Sequence, residues 1–256
     1  MITTDTPVIR HLMPALLLTL AMTGTVSGSE RETTPANPGL AEVELTPLKA
    51  TYSATMDKGI SINGSATLSL THQEDGTWLY RFDVESFIAD IDESLTLRWQ
   101  DGRVQPLEYR YALEGLMVSN RSRAMNFNWP AGTVNGSYNG DTFTMPLEEG
   151  ALDPLGFQLQ LRQDLKAGKE SMSYPVADDG DYDHDRFTVV DSEPLKTEFG
   201  ILETIKVEKV RGEGSKRETL LWFAPELDYL LVRLVQVEPD GSRYEVTLDK
   251  AEIAGR

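Results

Sequence analysis

The chain has 256 residues, no cysteine, and 41 Asp+Glu against 24 Lys+Arg, for a formal charge of -17. With 40% apolar and 8% aromatic residues it is too apolar for an acidic disordered chain, and its charge opposes nonspecific nucleic-acid binding. Without cysteine there are no disulfides, thiolate metal sites or cysteine nucleophiles.

Residues 1–28 read as a secretory signal peptide. Arg10 and His11 precede the apolar run Leu12–Thr23, and small residues follow from Gly24 to Ser29. The run is too short to span a bilayer, which needs roughly 20 residues. No cysteine is present to carry a lipid anchor. The expected product is a soluble periplasmic monomer beginning near Ser29, with no membrane span. Residues 29–46, with Pro35, Pro38 and Gly39, read as a flexible lead-in to one domain over 47–256.

From Leu48 onward the pattern predicts antiparallel strands. Trp78, Tyr80, Phe82 and Val84 alternate with Leu79, Arg81, Asp83 and Glu85. Leu95, Leu97 and Trp99 alternate in the same way, as do Tyr244, Val246 and Leu248. Turn dipeptides recur at Asn63-Gly64, Asp75-Gly76, Asp101-Gly102, Asn135-Gly136, Asn139-Gly140, Asp179-Gly180 and Asp240-Gly241, the first of them also compatible with a bulge inside a longer strand. Asp153-Pro154 supplies a cap and a first-turn proline for a helix over about 153–167 that stops at Gly168. Strict alternation from Leu155 to Leu161 also allows a strand. Segment 227–237 is almost continuously apolar, as in a strand buried on both faces or lying along a cavity. About 13 to 15 strand-like segments are too many for a flat sheet. The expected fold is all-β: a large curled antiparallel sheet or half-open barrel with one short helix.

Motifs for chemistry are scarce. After the signal there are His72 and His184, no Gly-x-Ser-x-Gly surrounds a serine, and no phosphate-binding glycine loop occurs. Gly212–Lys216 reads as a hairpin tip. Asp181, Asp183 and Asp185 are candidates for Ca²⁺, but an EF-hand register puts Arg186 where glycine belongs and Ser192 where the bidentate glutamate belongs. The favoured reading is a solvated strand start, with no metal and no cofactor. The aromatic residues suggest core packing or a cavity wall, and Trp78, Trp99, Trp129 and Trp222 are the candidate ligand-binding residues.

Several segments in order carry a family resemblance. They are Leu48–Tyr52, Lys58–Gly64, Asp101–Tyr109 with its G-x-x-x-P-x-x-Y run, Asp153–Arg162, Glu198–Val207 and Thr219–Pro225. Together they resemble a family of bacterial exported proteins known as domain of unknown function 3108. The resemblance implies a periplasmic all-β protein and transfers no catalytic residue. Its outline is similar to that of periplasmic lipoprotein carriers, which hold acyl chains in a half-open barrel. The expected function is a non-catalytic binding or carrier protein for a lipid-like or glycan ligand of the cell envelope. The alternatives are a packed interaction scaffold for an envelope protein, or a hydrolase using paired carboxylates.

Overall fold

The computed structural model describes residues 44–57, 61–115, 118–212 and 214–255. The signal segment 1–28 and most of the lead-in lie outside the described residues. Leu45, at the end of the lead-in, is buried in the core.

Among the described residues fourteen strands follow one another as hairpins, with one break between the eighth and the ninth. The first eight are β1 (Leu48–Asp57), β2 (Ser61–His72), β3 (Trp78–Ser86), β4 (Ala89–Gln100), β5 (Arg103–Gly115), β6 (Arg121–Asn128), β7 (Thr133–Tyr138) and β8 (Asp141–Pro146). Helix α1 (Gly156–Lys166) then leads to β9 (Ser171–Asp178), β10 (Asp181–Thr197), β11 (Gly200–Val210), β12 (Glu218–Ala224), β13 (Leu230–Val237) and β14 (Arg243–Ile253). Each strand pairs antiparallel with its sequence neighbour, except that the α1 segment separates β8 from β9. The halves join where β14 pairs with β1, Tyr52 opposite Leu248 and Ala54 opposite Val246. The order is therefore β8-β7-β6-β5-β4-β3-β2-β1-β14-β13-β12-β11-β10-β9 in one sheet.

A twisted sheet of this size curls, and the curl brings its two edges towards each other. No strand-to-strand ladder closes β8 onto β9. A seam of other contacts does the joining. Leu152 donates its N–H to the Pro175 carbonyl and accepts from Ala177, a short parallel bridge. The Tyr182 hydroxyl donates to the Pro146 carbonyl at 3.1 Å and accepts from the Glu148 N–H at 3.2 Å. Arg123 on β6 pairs with Asp178 on β9 at 2.6 Å.

Primed two-residue turns drive the hairpins. Asp101-Gly102, Asn139-Gly140 and Asp179-Gly180 each have positive φ at both residues, the conformation Asn/Asp-Gly tolerates best. Two of the turn dipeptides lie within strands, the first as the sequence also allowed. Asn63-Gly64 lies within β2, and Asn135-Gly136 within β7, where the Phe143 ring of β8 covers Gly136 so closely that a Cβ would lie 2.3 Å from it. There glycine makes room for an aromatic ring across the strands.

The α1 segment is helical for the reasons its ends suggest. The Asp153 carboxylate accepts the N–H groups of Leu155 and Gly156 at 3.0 and 2.9 Å, just ahead of the first turn. At the other end Gly168 takes φ 79, and the N–H of Lys169 reaches back to the Asp164 carbonyl. The helix lies inside the curl. Leu155, Leu159, Leu161 and Leu165 are buried, and so are Gln160, Arg162, Gln163 and Asp164 on its other faces. Its polar side chains are anchored to the wall: Gln160 accepts from the Val104 N–H at 2.7 Å and donates to the Gly102 carbonyl.

Candidate functional site

The helix fills one part of the curl and leaves a cavity of about 90 Å³ between itself and the β10–β14 side. One water needs roughly 10–15 Å³ on the same measure, so the space is a slot for a slender group. Apart from the adjacent Leu230 and Leu231, beside a register shift, its wall follows strand alternation. Leu221 and Phe223 come from β12, Leu230, Leu231 and Leu234 from β13, Val246 from β14, Tyr52 from β1, Leu68 from β2, and Tyr80 and Phe82 from β3. Helix α1 contributes Phe157 and Leu161 as the floor. Apolar segment 227–237 therefore runs along the cavity through its strand β13.

The two ends of the slot differ chemically. At the helix end, Arg162 donates to the Asp228 carbonyl and carboxylate at 2.9 and 2.7 Å, and Lys166 pairs with the same carboxylate at 2.7 Å. The other end lies where β11 ends, β12 begins and β13 ends. It is lined by Lys209, Arg211, Arg217, Thr219 and Gln236. Lys209 pairs with Asp185 at 2.5 Å, and Arg217 with Glu238 at 2.6 Å. Arg211 donates to the Thr219 hydroxyl at 2.9 Å, while its Nε is buried without a partner. Burial, and then the neighbouring Arg217 charge, lower the Arg211 pKa. Within the wall the Tyr52 hydroxyl is also buried and unpartnered, and burial raises its pKa.

A second polar group is sealed away from the slot. The Tyr109 hydroxyl donates to Glu93 at 2.6 Å, and Glu93 is 1% exposed. Burial pushes the Glu93 carboxyl up to about 8 and Asp153 up to about 7. Neither residue lines the cavity.

The sequence matches the family described as "Protein of unknown function (DUF3108)" over residues 50–249. The chain belongs to this family. No curated protein matches it in sequence. Among solved structures, a beta-barrel-like protein of domain of unknown function DUF1849 from Brucella abortus is 12% identical with a TM-score of 0.56. That match covers 82% of this chain and 99% of the other. LprF from Mycobacterium bovis gives 14% identity and a TM-score of 0.26, with 80% and 85% of the two chains covered. A DUF1329 family protein from Desulfovibrio piger gives 8% identity and a TM-score of 0.25, over 82% and 86%. The DUF1849 likeness agrees with the barrel-like curl of this DUF3108 chain.

The four tryptophans picked out in the sequence do not line the slot. Trp78 is half-buried, its ring edge-on to His72. Trp99 is half-buried near the end of β4, and Trp129 donates to the Pro106 carbonyl at 2.7 Å. Trp222 is buried but alternates with the lining residues Leu221 and Phe223. It packs between Lys206 and Arg233 and donates to Glu193. The cavity wall is built mainly of leucine, phenylalanine and tyrosine, which alternation alone could not distinguish from ordinary core.

The aspartates at the start of β10 do not form the expected solvated face. Asp181 is exposed, Asp183 half-buried, and Asp185 buried on the same strand face as Phe187. Asp185 serves Lys209, and burial, then Asp185, push Asp183 up to about 6. No group of three or more metal-ligating side chains occurs among the described residues. His72 and His184 are both exposed. The basic end of the slot is the feature sequence reading missed. Its signal was present as cations at inward positions, Lys209 near the end of β11, Arg211 just past it, and Arg217 before Thr219 and Leu221 on the next strand.

Proposed function

We propose that this DUF3108 protein is a periplasmic binding or carrier protein, non-catalytic, that takes a lipid-like ligand of the cell envelope into the slot. The observation that carries this reading is the slot itself: a largely apolar cavity between an internal helix and one side of the curled sheet, with Arg162 tied to Asp228 at the helix end and three cations with Thr219 and Gln236 at the other. A fully packed core would have filled it. The proposed location rests on the signal-like segment 1–28 and on the acidic, cysteine-free composition.

Native mass spectrometry of protein taken from its own periplasm tests the reading. A co-purifying amphiphile is expected, and the slot-filling variant Leu234→Trp should lose it while keeping the wild-type circular dichroism. Protein that arrives empty, and that does not take up a fluorescent fatty acid, would sink the carrier reading. The scaffold reading has its own observation. Phe87, at the β3–β4 tip, is 90% exposed, and Ile201, beside the β10–β11 tip, is 73% exposed. It gains if envelope extracts yield one dominant protein partner that Phe87→Ser releases, with no small ligand bound.

A further inference from the structure

Lys209, Arg211 and Arg217 collect at one end of the slot in a chain whose net charge is -17. Two of these cations are already matched, Lys209 by Asp185 and Arg217 by Glu238. Asp183, on the face of Asp185, adds a further carboxylate near Lys209. Arg211 is different. Its hydrogen-bond partner is the neutral Thr219 hydroxyl, its Nε is buried and unpartnered, and no direct ion pair joins it to a described residue, although the Asp185 and Glu238 charges act on it from beyond their own cations. A guanidinium presents its donors in a planar fork suited to carboxylate or phosphate. Next to it Thr219 donates towards Gln236 at 3.3 Å, so further polar groups stand beside the fork.

We propose that the slot takes an anionic single-chain amphiphile, its carboxylate or phosphate held by Arg211 and its chain laid along Leu221, Leu234 and Phe157. This rests on the carrier reading and adds the ligand's charge and orientation. The apolar wall excludes a head group from the interior, because an unpaired charge there is strongly disfavoured. The basic end offers the anion a partly buried cation. The volume of about 90 Å³ has room for one chain rather than a bundle.

The test uses the full chain, displacing the neutral probe 1-N-phenylnaphthylamine with tetradecanoate, tetradecyl phosphate or tetradecanol. Both anions should compete at least about tenfold better than the alcohol, as expected for a charge-assisted pair. Arg211→Met should bring the anions to the level of the alcohol and leave the alcohol unchanged, and Arg211→Lys, which keeps the charge without the fork, should restore part of the preference. A preference for one anion over the other then identifies the head group. Equal binding of anions and alcohol by the wild type would overturn the head-group proposal and leave the carrier reading intact. Equal loss in Arg211→Met and Arg211→Lys would also overturn it, since the arginine would then act by packing. Binding of inorganic phosphate that matches tetradecyl phosphate in strength would make the basic end a free-anion site and overturn it as well. Failure of all three amphiphiles to displace a bound probe, or of the probe to bind at all, would remove the carrier reading itself.

Discussion

Glu93 and Asp153 show how single buried groups make this fold sensitive to pH. In the unfolded chain their protons leave near the ordinary values of 4.5 and 3.8, whereas in the fold they are held to about 8 and about 7. The folded state therefore binds more protons in between. The contribution of these groups to stability is full below pH 4 and lost as pH rises through 7 and 8. Glu93→Gln can still accept from Tyr109 but has no charge to bury. Its stability relative to wild type should be level at pH 4.5 and rise steadily to pH 8.5 in urea unfolding. A flat difference across that range would refute the burial argument. The Arg162–Asp228 pair makes the opposite point. Both side chains are almost fully buried, at 5% and 8% exposure. Asp228→Ala leaves Arg162 without its carboxylate and should cost roughly 3–5 kcal/mol, measurable by the same unfolding. Lys166→Ala, at a partly exposed side chain, should cost much less.

At the scale of elements, α1 is the piece whose sequence admitted two periods. Leu155, Phe157, Leu159 and Leu161 alternate as a strand would, and only the end signals chose the helix. Those signals work in the fold: the Asp153 carboxylate caps the first turn, and Gly168 takes the left-handed conformation that ends it. The helix faces then divide the labour. Leu159 is fully buried away from the cavity lining, whereas Leu161 forms part of the floor. Leu159→Ala should destabilise by about 2–5 kcal/mol. Leu161→Ala should also destabilise, but it enlarges the slot and should shift the preferred acyl chain to a longer one in the displacement assay. Identical chain-length profiles in wild type and Leu161→Ala would show that the helix does not floor the binding space.

For the whole molecule, the decisive feature is a sheet that curls without a closing ladder. The β8 and β9 edges are held by the Leu152 bridge, the Tyr182 hydroxyl and the Arg123–Asp178 pair. Arg123 is 11% exposed and Asp178 4%, so Arg123→Ala removes a buried cross-seam ion pair and should loosen the seam. Faster amide exchange concentrated in β8 and β9, with β1 and β14 protected as before, is the expected pattern. Uniform acceleration over all strands would mean that the seam has no separate stability.

Much of this architecture was legible in the chain itself. The two-residue period, the Asp-Gly and Asn-Gly turns and the Asp-Pro to Gly168 boundaries are local consequences of backbone geometry, and they specify hairpins and one helix. Alternation also separates the two faces of each strand. It does not say which apolar faces will meet a neighbour and which will border free space. That was decided by pairing β1 with β14, residues as distant as Ser53 and Asp249, and by placing α1 inside the curl. For this reason Trp222 lies outside the slot while its neighbours Leu221 and Phe223 line it. For the same reason Asp185, which reads as solvated, is buried against Lys209. Short-range sterics and periodicity determined the elements; the curvature of the sheet, a cooperative result of fourteen twisted strands, decided where the cavity and its cations would be.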